Sequence, residues 1–115
     1  MQYDVIIIGA GPGGIFSAYE LSKLCPDKKI AVFEEGQPLE KRRCPIDGKT
    51  VKHCIGCPTC AIMNGFGGAG AFSDGKYNLT NDFGGTLYEY IGKKQAMELM
   101  HYADEINVSH GGENT

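Results

Sequence analysis

Residues 3–36 read YDVIIIGAGPGGIFSAYELSKLCPDKKIAVFEEG, and the rest of the chain is interpreted from this stretch. The run at 5–8 is apolar, β-branched and too short for a helix, so it predicts a strand. The glycine-rich turn 9–14 follows directly, and the segment 12–24 is compatible with a helix that opens at a proline. A second apolar run begins at residue 30 and ends in two acids. The sequence therefore predicts a β-α-β unit with two parallel strands.

The turn and the acids after the second strand match the dinucleotide fingerprint G-x-G-x-x-G, with an acid about 20 residues further on. The first glycine allows a tight exit from the strand, the second lets the backbone approach a pyrophosphate, and the third lets the helix pack on the sheet. The helix N-terminus offers unpaired N–H groups to an anion. A carboxylate that holds ribose hydroxyls repels a 2′-phosphate, which argues against NADP. The predicted contacts of an adenine dinucleotide are Gly9, Gly11, Pro12, Gly13, Gly14, Glu34 and Glu35. The alternative is a strand, turn and helix that bind no ligand.

Length and composition limit the classes of protein to consider. The chain has 115 residues, enough for one small domain, and a net charge of −3. It has no basic cluster beyond residues 41–43, which argues against a nucleic-acid partner. No apolar run reaches the roughly 18 residues of a membrane span, and the start does not resemble a signal peptide. We therefore expect a cytoplasmic location.

The chain after residue 36 shows no second strand–helix–strand pattern. Residues 37–92 are interpreted as a loop-rich, cofactor-contacting region that is dense in glycine and cysteine. Residues 93–107 predict an amphipathic helix, whose apolar face is formed by Ala96, Leu99, Met100, Ala103 and Ile106. A doubly wound domain needs more parallel strands than these. The expected fold class is α/β, a Rossmann-like β-α-β half followed by loops and a helix, and we expect the N-terminal part of a longer chain.

Several motifs resemble a known group of flavoproteins. The opening is similar to the FAD-binding turn of the glutathione-reductase type of FAD fold. Residues 65–76, GFGGAGAFSDGK, resemble a more specific motif of FAD-dependent dehydrogenases in the NAD(P)/FAD-dependent oxidoreductase group. The segments at 40–45, 82–85 and 90–92 are also similar to that group. The resemblance spans nearly the whole chain, although proteins of that group are several times longer.

The resemblance implies an FAD-dependent oxidoreductase whose flavin carries the hydride chemistry. It implies that a second glycine-rich segment lies beside the pyrophosphate and flavin, and that an arginine reaches the adenosine or phosphate side. The residues that match these roles are Arg42, Gly67, Gly68, Ala69, Gly70 and Ser73. NAD(P)H is the implied electron donor of a full-length protein, and the small-molecule substrate is not indicated. No residue is assigned as catalytic. The alternatives are a solvated charge for Arg42, a flexible loop for the glycine tract, and a simple turn at 74–76.

The cysteines leave two interpretations open. Cys54, Cys57 and Cys60 form C-x2-C-x2-C, with Cys44 upstream. Four thiolates are enough for zinc or an iron–sulfur cluster, but the spacing matches neither pattern fully. Structural or redox thiols are the other interpretation, and we assign no metal. Cys25 is expected to be a small buried or helix-end residue without a chemical role.

Three further functions remain open at this point. The chain could be a nucleotide-binding module without catalysis, or a metal-binding fragment organised by its cysteines. It could also be a flavoprotein similar to geranylgeranyl reductases, which share the opening but do not match the Ser73-Asp74-Gly75-Lys76 ending.

Overall fold

The computed structural model describes residues 1–113 and is mixed α/β. It consists of two compact units, Met1–Phe72 and a second unit that begins at Ser73. Within residues 1–113, no helix is long and apolar enough to cross a membrane.

The first unit contains the predicted β-α-β element. Strand β1 is Val5–Ile8, helix α1 is Pro12–Leu24 and strand β2 is Ile30–Phe33. The strands are parallel, and Val5 pairs with Ile30. The C-cap of α1 is Cys25, whose N–H donates to Leu21 O. The predicted order, helix bounds and helix-end cysteine are confirmed.

The turn between β1 and α1 depends on two glycines. Gly9 has φ +98°, a left-handed conformation that glycine adopts without steric cost. Its N–H donates to Phe33 O at 2.7 Å, which extends the pairing past the end of β1. A Cβ on Gly14 would collide with the carbonyl oxygen of Gly9. The start of α1 therefore lies directly against the strand exit, as the motif predicts.

Two strands bury little apolar surface. Among the described residues, the buried apolar side chains are Ala10 and Ala96, and no large side chain is fully buried. Ile6 and Ile8 of β1 are 57% and 80% exposed. The order of the first unit therefore depends strongly on hydrogen bonds among its loops.

The second unit contains two helices, α2 at Leu87–Ile91 and α3 at Lys93–Ser109, which pack against each other. Helix α3 confirms the predicted helix, whereas α2 lies in a region predicted to be loop. Gly92 separates the helices with φ +82°.

The predicted apolar face of α3 is partly wrong. Ala96 and Asp104 are buried, whereas Leu99 is 47% exposed. Residues four apart follow one row on a helix, and the most buried row runs through Ala96, the half-buried Met100 and Asp104. Leu99 lies at the edge of that row, so the contact face is rotated from the predicted one.

The long connection after β2 is ordered by short turns. It holds the 3₁₀ turns Leu39–Lys41 and Gly68–Phe72, and no other helix or strand of the first unit. In the cysteine region, Asp47 Oδ1 accepts hydrogen bonds from the N–H groups of Lys49, Thr50 and Val51 at 2.8–2.9 Å. These bonds lower the pKa of Asp47, Val51 contributing most. This part of the region predicted to be loop-rich is therefore an ordered turn.

Candidate functional site

A cleft in the first unit brings together three separated parts of the chain. They are the turn after β1, the two acids after β2 and the start of the glycine tract. We call this feature the glycine cleft, and its volume is about 340 Å³. It is lined by Ile8, Gly9, Gly11, Phe33, Glu34, Glu35, Met63, Asn64, Gly65 and Gly68. Four of these residues are glycines, three have apolar side chains, and the other three add two carboxyl groups and one amide.

The glycine tract is held against the first turn by backbone contacts. The N–H of Gly67 donates to Ala10 O at 2.8 Å. A Cβ on Gly68 would lie 3.3 Å from Gly11 Cα and 3.4 Å from Pro12 Cδ. The tract is thus a second wall of the cleft, and small residues are needed for this approach. The alternative of a flexible loop does not describe residues 65–68.

Glu34 connects the walls of the cleft. Its Oε2 accepts a hydrogen bond from Ala10 N–H at 2.7 Å, and its Oε1 accepts one from Gly36 N–H at 2.9 Å. The Ala10 and Gly36 hydrogen bonds lower the pKa of Glu34, with smaller contributions from Gly65 N–H and the positive charge of Arg42. The carboxylate therefore stays charged to a lower pH than an ordinary glutamate, and the stability these bonds contribute is lost as the pH falls through the lowered pKa of Glu34. The ribose contact of Glu34 stays a prediction.

The N-terminus of α1 opens beside the cleft. Gly11 is the N-cap with φ −75° and ψ −177°, Pro12 is the first helical residue, and no side chain caps the helix. Within residues 1–113, the N–H groups of Gly13 and Gly14 have no hydrogen-bond partner outside the helix. A Cβ on Gly11 or Gly13 would meet no atom within 4 Å. Free N–H groups, the helix dipole and open space suit an anion such as phosphate.

Arg42 lies beneath the glycine tract and is 4% exposed. Its guanidinium donates to four backbone carbonyl oxygens at 2.6–2.9 Å, those of Ala61, Ile62, Phe66 and Gly68. The guanidinium carbon lies 4.7 Å from the centre of the Phe72 ring. Four of the five N–H donors of an arginine are thus used within the protein. The side chain fixes the course of residues 61–68.

This finding changes the interpretation of Arg42. The alternative of a solvated charge is wrong, because the side chain is buried. The predicted contact with the adenosine or phosphate side stays a prediction, and the structure shows a supporting role for the tract. Sequence spacing could not show this role, because the four acceptors are backbone atoms.

The other predicted residues lie further along the tract. Ala69 and Gly70 belong to the 3₁₀ turn Gly68–Phe72. Ser73 belongs to the second unit, where its Oγ accepts a hydrogen bond from Gly75 N–H at 2.9 Å. Asp74 Oδ1 accepts one from Lys76 N–H at 3.2 Å, which confirms a turn there. Contact of Ala69, Gly70 and Ser73 with a cofactor stays a prediction.

The cysteines are not gathered into a metal site. All five are free thiols, and residues 1–113 contain no group of three or more His, Cys, Asp or Glu side chains placed to hold a metal. The pKa of Cys60 is lowered, first by the N–H of Met63, then by that of Ile62, and also by the charge of Arg42. Cys60 therefore has more thiolate character than an ordinary cysteine.

Asn64 is a cleft residue that sequence reasoning missed. Its Nδ2 donates to Glu35 Oε1 at 2.5 Å, across 29 positions of the chain. A pair so distant in sequence follows no local periodicity or motif. The Asn-Gly pair at 64–65 is typical of a turn, but a turn does not identify a distant partner.

Comparisons with known proteins gave partial similarities. No protein-family model and no solved structure matches the chain. An uncharacterised protein of Clostridium beijerinckii is 35% identical over 71 residues, which are 62% of this chain and 13% of that protein. Thiamine thiazole synthase of Yarrowia lipolytica is 54% identical over 35 residues, 30% of this chain and 11% of the enzyme.

The mitochondrial electron transfer flavoprotein-ubiquinone oxidoreductase of Oryza sativa is 40% identical over 43 residues, 34% of this chain and 8% of that protein. The matched region thus spans 8–13% of the length of these curated relatives.

Proposed function

We propose that the first unit holds the ADP half of FAD in the glycine cleft and serves as the FAD-binding segment of a Rossmann-like oxidoreductase. The observation that carries the proposal is the cleft itself, where the turn, two acids and the glycine tract meet beside the open end of α1. The partial similarity to the rice oxidoreductase is compatible with an FAD-binding segment.

The residues fit the pyrophosphate of such a cofactor. The anion would lie at the N–H groups of Gly13 and Gly14, where no protein side chain occupies the space next to Gly11. The N-terminus of α1 has no side-chain cap, so a ligand anion would complete it. The helix dipole adds a favourable interaction with the phosphate charge.

The glycine cleft, beside the end of α1, fits the adenosine. A cleft of about 340 Å³ is in the range of small-molecule sites, which begin near about 300 Å³. Ile8, Phe33 and Met63 provide apolar contacts, and the two acids provide acceptors for hydroxyl groups. Bound FAD would supply hydride or electron transfer, while the residues of this unit bind and orient its ADP half.

The experiment is a calorimetric titration of the purified chain with FAD, alone and in the presence of ADP or FMN. We expect saturable binding that ADP reverses by competition and that FMN leaves unchanged, because FMN lacks the adenosine half. Competition by FMN as strong as that by ADP would place recognition on the flavin and contradict the proposal. Absence of FAD and ADP binding to folded chain would also contradict it.

A further inference from the structure

Two half-buried thiols of the cysteine region stand close together in the chain. Cys57 and Cys60 are free and partly shielded from solvent, whereas Cys54 and Cys44 are exposed. The chain bends at residues 58 and 59, between the two half-buried thiols. The first and fourth Cα atoms of a four-residue turn lie within about 7 Å of each other, and a disulfide needs roughly 4.4–6.8 Å. The bend therefore suits a disulfide that closes a very short loop.

Cys60 is the more reactive member of this pair. The N–H of Met63, the N–H of Ile62 and the positive charge of Arg42 lower the pKa of its thiol, and burial opposes them. The thiolate is the nucleophilic form of cysteine, so Cys60 is the group that attacks an oxidant. Cys57 follows the bend on the other side and is placed to attack the oxidised product.

The same cysteine begins the turn that forms one wall of the glycine cleft. Its carbonyl oxygen accepts a hydrogen bond from Asn64 N–H at 2.8 Å, which closes the turn over residues 60–64. Arg42 donates to two carbonyl oxygens inside this turn, at 2.9 and 2.6 Å. Met63 and Asn64, at the end of the turn, line the cleft. The Cys60 thiolate and the Arg42 guanidinium thus hold the same wall, one as an acceptor and one as a donor.

We propose that Cys57 and Cys60 form a reversible disulfide that acts as a redox switch on this wall. The oxidant is a peroxide. The sulfur of Cys60 attacks one peroxide oxygen, the O–O bond breaks, the other oxygen leaves as hydroxide and is protonated to water, and Cys60 becomes a sulfenic acid. The Cys57 thiol then attacks that sulfur, the S–S bond forms, the S–O bond breaks and a second water leaves. Two thiols have lost two electrons to the peroxide, and a dithiol reverses the step by exchange.

Oxidation changes the wall because it removes a charged acceptor. The N–H groups of Ile62 and Met63 donate to the Cys60 thiolate. A hydrogen bond to an ionised acceptor is roughly twice as strong as a neutral one, and a disulfide sulfur carries no charge. The turn should therefore open more often in the oxidised chain. The consequence for a ligand rests on the proposed function, since a loosened wall would weaken the binding of ADP.

The chemical test uses the whole chain, reduced or treated with hydrogen peroxide, then alkylated, digested with trypsin and analysed by mass spectrometry. Residues 53–76 form one tryptic peptide, which contains all three cysteines of the C-x2-C-x2-C run. The variants are Cys57→Ser, Cys60→Ser and, as the matched control, Cys54→Ser, which removes an exposed thiol at the same spacing from Cys57. Circular dichroism checks the fold of each variant.

We expect the peptide of the wild type and of Cys54→Ser to lose two hydrogens on oxidation and to regain them with dithiothreitol. Cys57→Ser should instead accumulate a sulfenic acid on Cys60, which dimedone captures. Cys60→Ser should form no disulfide within the peptide. Free thiols at Cys57 and Cys60 after peroxide treatment, or a disulfide that forms as readily in Cys60→Ser, would overturn the proposal.

Amide hydrogen exchange measures the wall without any ligand. Oxidation of the wild type should speed exchange of the Ile62 and Met63 N–H groups about 10-fold and leave helix α1 unchanged. A disulfide that leaves both exchange rates unchanged would overturn the switch. In the same samples, oxidation should weaken ADP binding about 10-fold. If the reduced chain binds no ADP, the proposed function fails, whereas the exchange rates still decide the switch.

Discussion

A Gly11→Val variant is expected to bind ADP about 100-fold more weakly than the wild type, a loss of about 2.8 kcal/mol, and to unfold at the same denaturant concentration. Its side chain would enter the space next to the N-cap of α1, where a Cβ meets no protein atom within 4 Å. The backbone there is extended, at φ −75° and ψ −177°, which valine adopts readily. The substitution should therefore change the free energy of unfolding little, and its main effect should be to fill the space that the phosphate would occupy.

The binding measurement is calorimetric titration with ADP, with urea unfolding measured on the same sample. Ser22→Val is the control, because it places the same side chain on an exposed position of α1 outside the cleft. Gly11→Ala adds a smaller group and should give a smaller loss of affinity. Folded Gly11→Val that binds ADP like the wild type would show that the phosphate lies elsewhere.

An Arg42→Met variant is expected to lose about 3–5 kcal/mol of its free energy of unfolding. Four hydrogen bonds from a charged donor, each worth about 1.5–3 kcal/mol, are lost, and the cost of burying the charge is removed with them. Methionine keeps much of the volume but donates no hydrogen bond, so four carbonyl oxygens under the glycine tract lose their shared donor. Small domains are stable by only about 5–15 kcal/mol, so the loss is a large fraction of the total.

Urea unfolding, read by circular dichroism, measures this change. The neighbouring Arg43 is exposed, and Arg43→Met is the matched control, with an expected change within about 0.5 kcal/mol. Arg42→Lys should recover only part of the loss, because an ammonium group cannot present the planar fork of donors. Equal stability of the Arg42→Met and Arg43→Met variants would show that the guanidinium does not support the tract.

The part of the fold that follows from local patterns could be predicted from sequence. The β-α-β element, the bounds of α1 and the packing role of Gly14 each depend on residues close together in the chain. Apolar periodicity and glycine stereochemistry determine them directly. The position of α3 followed in the same way, whereas its exposed Leu99 shows that the rotation of a helix depends on what packs against it.

The features that sequence did not reveal all depend on long-range contacts. Arg42 reaches carbonyls 19 to 26 positions away, and Glu35 meets Asn64 across 29 positions. Helix α2, with five residues, is too short to show a helical period. Every residue has a backbone carbonyl, so the residue types do not reveal which carbonyls accept a hydrogen bond. From sequence, a buried arginine that binds such carbonyls cannot be distinguished from a solvent-exposed arginine in a basic run.

The placement of the pyrophosphate at α1 is tested by the amide NMR spectrum of ¹⁵N-labelled chain during titration with ADP and, separately, with adenosine. We expect ADP to shift the N–H resonances of Gly13 and Gly14 strongly downfield, because phosphate oxygens accept their hydrogen bonds. Adenosine, which has no phosphate, should leave those two resonances nearly unchanged while it shifts Glu35. Saturating ADP that leaves Gly13 and Gly14 unmoved would contradict the placement of the pyrophosphate at the N-terminus of α1.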